Sequence, residues 1–447
     1  MKIEDITAQN PWWKNTGWKN GDTHLKQLER GAYVYERTWY VPEKKGVIVV
    51  YGARQVGKTT WVKQWIARLL ENGKGEDVFY LNAEMIKDRF ELYETIKLVK
   101  GLYNPEYVFI DEISTVENWE RAIKAIADEG GFDGRCAVLT GSSSINIMKK
   151  AERLPGRMAA GQYKFRYYPL GFSEVAKIYG IKAGTPRDAI SHLDRLNPLL
   201  YRYFLHGGFA RAINAFHSEG ALGEDLFSVY SAWIDGELAK EKRSPEIATI
   251  LMDGVVYALT NEVSWSSLVR SVNHVTVSEY TELLRNMFVL DYLEKYRRAG
   301  LGAPRNKKIY FIDPFLYWVA LFRSRKVNSI GLTNLDSTTM GKLAEMSAYS
   351  AIVQYIDRKT GENDFDIRRY ANFEKERSGE TDFIVKIGGK SVRIECKFGK
   401  IGKEKDGVIY LTNDILGENK LPLAVFLMFP EESLQLLKAL LQFLRNY

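Results

Sequence analysis

Three groups of residues in this chain have types and spacings suited to phosphate chemistry. The first is Gly52-Ala53-Arg54-Gln55-Val56-Gly57-Lys58-Thr59-Thr60, a G-x-x-x-x-G-K-T run. Gly52 and Gly57 permit a tight turn whose N–H groups converge on phosphate oxygens. Lys58 would reach the β- and γ-phosphates of a nucleoside triphosphate, and the Thr59 hydroxyl would hold Mg²⁺. Residues 52–60 are therefore the expected nucleotide contacts, with Arg54 projecting to solvent. The second group is Asp111-Glu112, at the end of the apolar run Tyr107–Ile110. Here Asp111 would hold Mg²⁺ through water, and Glu112 would polarise an attacking water as general base. The third is Asp382 with Glu395-Cys396-Lys397. Two carboxylates and a lysine on adjoining strands can bind Mg²⁺ and polarise a water for attack on a phosphodiester.

The elements that must position these groups are legible in the pattern of apolar residues. Gly46–Tyr51 reads as a buried strand feeding the glycine-rich loop. The helix after it repeats Trp61, Trp65, Leu69 and Val62, Ile66, Leu70 at spacings of four, an apolar stripe facing a sheet. Further strands, Val78–Asn82, Tyr107–Asp111 and Cys136–Thr140, alternate with helical stretches and predict a parallel α/β sheet. Such sheets bind ligands at the carboxyl ends of their strands, where Asp111, Glu112 and the polar run from Ser142 would lie. Trp12 and Trp13 would cover exposed core or pack near adenine.

Residues 188–239 read as helical with short breaks. Three helices, from Glu246, Ser264 and Thr276, then precede two strands near Val289–Tyr296 and Lys308–Ile312, the order of a winged helix. Its wing would carry Arg297, Arg298, Arg305, Lys307 and Lys308, a basic surface for DNA, or else a solvated face of a protein-packing module. Gly341–Ile356 predicts a helix with Glu345 near its start. Glu380–Val385, the Gly388-Gly389 turn and Val392–Lys397 predict a hairpin with Glu395 and Lys397 on one face. The alternative for this hairpin is a surface element with an ordinary ion pair.

The 447 residues suggest about three domains. A net charge of +7 leans weakly towards a polyanionic partner. With only Cys136 and Cys396 there is no disulfide framework, and a reducing cytoplasm fits. No apolar run approaches a membrane span, and the polar, Trp-rich start is unlike a signal peptide.

The glycine-rich loop followed by Asp111-Glu112 resembles the AAA+ ATPases, within the additional-strand-glutamate division of P-loop proteins. Leu154-Pro155-Gly156-Arg157 and Pro169-Leu170-Gly171-Phe172-Ser173-Glu174 are similar to stretches of a large prokaryotic family of such ATPases. The resemblance implies an AAA+ core over 1–175, a helical lid over 176–244, a winged helix over 245–330 and a restriction-endonuclease-like domain over 335–447. It also implies ATP and Mg²⁺ as cofactors, and is compatible with a homo-oligomer. Ser142 or Ser143 takes the place of the polar sensor of the γ-phosphate. Arg157 takes that of an arginine finger or charge sensor, the alternative being a pair with a surface carboxylate. Gly207-Gly208-Phe209-Ala210 resembles the family's G-G-x-P element, with Ala210 in place of proline. In the last domain Asp382, Glu395 and Lys397 match a D-(x)n-E-x-K core, and Glu345 matches the helix acid that joins Asp382 and Glu395 as a metal ligand. Two functions follow. One is an ATPase acting on DNA with a metal-dependent nuclease-like tail; the other is an ATP-driven switch whose winged helix and tail bind protein without cleavage.

Overall fold

The computed structural model describes the chain except residues 16, 32, 38–39, 143–155, 297–304, 377–378, 400–403 and 436–447. Ser143, Leu154 and Pro155, and the wing residues Arg297 and Arg298, lie outside the described residues. The chain divides into two compact units. Met1–Tyr168 with Glu362–Asp364 form the first, and Pro169–Gly361 with Phe365–Tyr447 the second.

The first unit is built on five parallel strands: β1 (Gly46–Tyr51), β2 (Val78–Asn82), β3 (Tyr107–Asp111), β4 (Cys136–Gly141) and β5 (Lys164–Arg166). Their order is β2-β3-β4-β1-β5. Val, Ile, Leu and Phe fill the central strands without alternation, because both faces of the sheet are buried. Helices α1 (Ile3–Gln9) and α2 (Thr23–Arg30) precede the sheet. Then α3 (Lys58–Glu71), α4 (Arg89–Leu102) and α5 (Trp119–Asp128) connect successive strands or follow them. The stripe on α3 meets the sheet as expected, with the Trp65 and Phe109 rings 5.3 Å apart. Because β4 separates β1 from β3, the glycine-rich loop and Asp111 leave the same edge of the sheet one strand apart.

Side chains rather than further strands close both sheet edges. On β2, the Tyr80 N–H donates to Asn10 Oδ1 (2.7 Å) and the Tyr80 carbonyl accepts from Asn10 Nδ2 (2.9 Å). The Val78 carbonyl accepts from the indoles of Trp12 and Trp13 at 3.2 and 3.0 Å, and the Asn82 N–H donates to Gln9 Oε1 at 2.7 Å. Trp13 also stacks on Tyr103, ring centroids 4.2 Å apart. Val78 starts β2, so these tryptophans cover the sheet at the amino ends of its strands, away from the loop edge, and not adenine. On β5, Asn363 Oδ1 accepts from the N–H groups of Tyr163 and Lys164 at 2.8 and 2.9 Å.

The second unit opens with α6 (Phe172–Ile178), α7 (Pro186–Ser191), α8 (Leu193–His206), α9 (Ala210–Glu219) and α10 (Glu224–Lys240). Ala210 is the first residue of α9, a position that proline also suits, so alanine there preserves the helix start. Next come α11 (Pro245–Ala258), α12 (Trp265–Leu268) and α13 (His274–Asn286), then the antiparallel pair β6 (Leu290–Glu294) and β7 (Lys307–Phe311). Helices α14 (Pro314–Arg323) and α15 (Ser337–Thr360) lead into a mixed sheet of β8 (Ala371–Glu376), β9 (Gly379–Ile387), β10 (Lys390–Lys397), β11 (Val408–Thr412) and β12 (Lys420–Pro422). That sheet runs β12-β11-β10-β9-β8, antiparallel from β8 to β10 and parallel beyond. The Gly388-Gly389 turn joins β9 to β10 with φ of 57° and 75°, as expected of a tight hairpin. Directly after β12 comes the buried helix α16 (Leu423–Met428).

Asn10 is fully buried and satisfies both backbone groups of Tyr80. Asn10→Ala would leave them unpaired and is expected to cost on the order of 2–4 kcal/mol. The shift in the urea unfolding midpoint measures this.

Candidate nucleotide site and a C-terminal carboxylate centre

The glycine-rich loop turns directly out of β1, and two backbone constraints fix its residues. A Cβ on Gly52 would lie 2.2 Å from the Tyr167 carbonyl oxygen, so only glycine fits beside β5. Gly57 has φ of +102°, which glycine adopts without strain, and α3 begins with the next residue. Ala53 and Val56 are buried, whereas Arg54 lies 3.8 Å from Glu84 on a half-exposed surface. Gln55, at φ of +63°, and Thr60 complete the turn into α3. Lys58 is buried, its ammonium donating to the carbonyls of Gly52 (3.1 Å) and Ala53 (2.9 Å). The cation is thus folded over the loop whose N–H groups would cradle phosphates.

Asp111 ends β3 and is the hub of this edge. Its Oδ2 accepts from the Thr59 hydroxyl at 2.6 Å and the Tyr80 hydroxyl at 3.2 Å, and its Oδ1 from the Thr140 hydroxyl. Burial and the adjacent Asp111 charge hold the Tyr80 phenol well above its ordinary range. Lys63, against Asp22 at 3.6 Å, is a second buried cation facing this carboxylate; burial lowers its pKa, with Asp22 and Asp111 opposing. Hydroxyl and carboxylate oxygens in contact are the donor set a hard cation such as Mg²⁺ prefers, so Thr59 and Asp111 fit the expected metal.

Glu112 follows at φ of +51°, a left-handed conformation that a non-glycine residue adopts at a cost. Its N–H donates to Thr140 Oγ1 at 3.1 Å, which secures the conformation. Among the described residues the Glu112 carboxylate makes no hydrogen bond or ion pair. Ser142 follows β4 at the same edge and is buried. Neither Thr140 nor Tyr80 is signalled by the loop motif; both become visible only when β2, β3 and β4 are aligned.

Arg157 does not join this group. Its guanidinium pairs with Asp128 at the end of α5, and its carbonyl accepts from the Val47 N–H near the start of β1. At about 3.3 Å per strand residue, that is roughly 15 Å from the loop, on the opposite edge. The pair with a surface carboxylate is the arrangement found, and Arg157 is out of reach of this chain's own nucleotide loop.

In the second unit the expected metal ligands are divided between two sets. Glu345 on α15 and Asp382 on β9 converge on Lys308 of β7, with Nζ–O distances of 3.0 and 2.7 Å, joined by Glu380 at 2.7 Å. The Tyr310 hydroxyl also donates to Glu345, at 2.7 Å, and the Cys396 N–H donates to Asp382 Oδ2 at 2.8 Å. Glu395 turns instead to Lys397 (2.7 Å) and Lys405 (3.5 Å). Its Oε2 is buried and makes no hydrogen bond among the described residues.

Burial, with Asp382 nearby, pushes the Glu345 carboxyl up to about 8, well above the usual carboxylate range. Burial opposes the Lys308 charge, but Glu345, Asp382 and Glu380 outweigh it and hold the lysine well above its usual range. The Lys397 ammonium is favoured in the same way, burial being outweighed by Glu395 and then Asp382. Burial also raises the Cys396 thiol well above its ordinary range. Lys308 and Lys307 were expected on a basic wing. Lys308 is fully buried, and Lys307 is buried with its ammonium 4.7 Å from the Trp265 ring. Neither is a surface cation. With Lys308 in place, Asp382 and Glu345 face an ammonium of the chain, whereas Glu395 faces Lys397 and Lys405.

Gly52→Ala is expected to push the loop off β5 and abolish nucleotide binding. It should also destabilise the first unit by roughly 1–3 kcal/mol. Titration with a fluorescent ATP analogue, beside a thermal melt, checks both outcomes.

A family model described as an AAA domain matches residues 44–176, and one described as a domain of unknown function (DUF8612) matches residues 197–326. An uncharacterized protein of Haemophilus influenzae is 26% identical over 288 residues, covering 59% of this chain and 66% of that protein. The chain thus spans just under two thirds of that relative's length. An uncharacterized protein of Methanocaldococcus jannaschii is 24% identical over 386 residues, covering 82% of this chain and 78% of that one. Among solved structures, the Aeropyrum pernix ORC1 protein in complex with DNA aligns with a TM-score of 0.26 at 14% identity, over 64% of this chain and 89% of that one. The ADP form of ORC2 from the same organism gives 0.30 at 13% identity, over 65% and 87%. Such scores are too low to support a conclusion. Among the described residues no helix is long and apolar enough to cross a membrane. The loop and the five-stranded parallel sheet agree with the family match, by which residues 44–176 are similar to a P-loop domain of the AAA type.

Proposed function

We propose that this protein is a Mg·ATP-hydrolysing switch of the AAA type, whose second unit binds a partner without cutting nucleic acid. The observation that carries the first part is the 2.6 Å contact between Thr59 and Asp111 beside the folded Lys58. The N–H groups of residues 53–60 and the Lys58 ammonium would hold the phosphates, with Thr59 and Asp111 on the metal and Ser142 beside the γ-phosphate. Bound Mg²⁺ would supply neutralisation of phosphate charge. Glu112, with its carboxylate uncommitted at the same edge, would orient the attacking water and accept its proton.

Two observations favour the switch over a nuclease acting on DNA. Lys308 fills the carboxylate centre at which a metal was expected. The three helices α11–α13 and the β6–β7 hairpin follow the winged-helix order, but α13, the helix that would enter a groove, offers little positive charge. Its charged side chains are Glu279, Glu282 and Arg285; Arg285 is held by Asp291 at 2.6 Å and Asp366 at 3.1 Å. Glu279 pairs with Arg243 at 3.0 Å and Glu282 with Arg285 at 3.6 Å, so this helix offers phosphates no excess positive charge, and a protein partner suits the face better than DNA.

Removing one preorganised charge contact costs about 3 kcal/mol, a factor of 10² or more in rate. Steady-state phosphate release should therefore fall at least that far in Lys58→Ala and in Glu112→Gln, with Glu112→Gln still binding ATP. Near-normal turnover in either variant refutes the role given to that residue.

A further inference from the structure

The oxygens of Glu345, Glu380 and Asp382 are the kind a divalent cation uses, and a lysine ammonium already stands among them at 2.7–3.0 Å. We infer that Lys308 is the resident cation of this centre and that the wild-type chain excludes Mg²⁺ and Mn²⁺ from it. The inference rests on reading the C-terminal sheet as nuclease-like, and is independent of the ATPase site.

Geometry and charge both support exclusion. Mg²⁺ and Mn²⁺ need several oxygens drawn into close coordination. An ion sharing two of these oxygens would sit in contact with the ammonium, and like charges repel strongly in a buried, low-dielectric site. Nor is there open space beside the lysine: its side chain is fully buried, and its backbone is fixed near the start of β7, where Lys308 pairs with Leu293 of β6 and Lys307 with Val263. The β6 side is tied in turn to β8 through the Tyr296 N–H, 2.7 Å from the Phe373 carbonyl. The remaining acid of the expected set, Glu395, faces Lys397 and Lys405. Every acid in the centre thus lies against a lysine of the chain itself, where sequence spacing pointed to a metal.

The test is a Mn²⁺ titration of the nucleotide-free full-length protein, followed by electron paramagnetic resonance. Wild type is expected to show no Mn²⁺ site that Asp382→Asn removes. Lys308→Met should create a saturable Mn²⁺ site that is lost in the Lys308→Met/Asp382→Asn double variant. In EDTA, Lys308→Met leaves buried carboxylates uncompensated and should melt roughly 10 °C below wild type; millimolar Mn²⁺ should restore the melt. Mn²⁺ binding by wild type that depends on Asp382 overturns the inference. So does a Lys308→Met protein that neither binds Mn²⁺ nor regains its fold in it. ATP turnover, expected at the wild-type level in these variants, is read separately. A Lys308→Met protein that binds Mn²⁺ yet leaves DNA intact upholds the internal cation and counts against any nuclease reading.

Discussion

A buried carboxylate needs partners, and Asp111 has three hydroxyls. Thr59 comes from the first turn of α3, Tyr80 from β2 and Thr140 from β4. An isolated carboxylate at this depth would be strongly disfavoured, so the aspartate can stay there only if the loop helix and both flanking strands keep their registers. Parallel pairing of β2, β3 and β4 satisfies that condition by bringing their carboxyl ends to one edge. The same registers place the Glu112 N–H on Thr140 and hold its side chain at the edge in a left-handed turn. The side-chain caps on β2 serve the same end, since Tyr80 is at once a capped edge residue and a partner of Asp111.

The two units solve one problem in two ways. Around Asp111 the hydrogen-bond donors are neutral hydroxyls, the nearby Lys63 ammonium being paired with Asp22, and the adjoining Thr59 oxygen leaves a donor set that suits a hard cation. In the second unit the cation is covalently part of the chain, because β7 carries Lys308 into the carboxylates of α15 and β9. Hydroxyl partners leave negative charge for a ligand to neutralise; an ammonium partner offsets part of it and occupies the place of a ligand cation. That difference, rather than the mere presence of acids, separates a nucleotide site from a self-satisfied core.

Much of the first unit was legible in the sequence because its signals are local. Strand, glycine-rich loop and helix are contiguous, and the Asp111-Glu112 pair ends an unbroken apolar strand. The β9–β10 hairpin and the helix bearing Glu345 were legible for the same reason. What could not be read was pairing between distant segments. Nothing near Asn10 announces that it completes the hydrogen bonding of Tyr80, and nothing near Lys308 announces three carboxylates from α15 and β9. A lysine beside Lys307 and Arg305 reads as a wing cation, yet both faces of β7 are covered and its side chain enters the carboxylates of α15 and β9. Arg157 misled in the same way. Its motif is local, whereas its distance from the loop depends on where the chain rejoins β1.

The direct measurement is nucleotide affinity with and without Mg²⁺, by isothermal titration of wild type and Asp111→Asn. Mg²⁺ is expected to tighten ATP binding by wild type and to lose most of that effect in Asp111→Asn, while binding in EDTA changes little between the two. Equal affinities for wild type in Mg²⁺ and EDTA, or an undiminished Mg²⁺ effect in Asp111→Asn, would contradict Asp111 and Thr59 as the metal-holding pair of an ATP site.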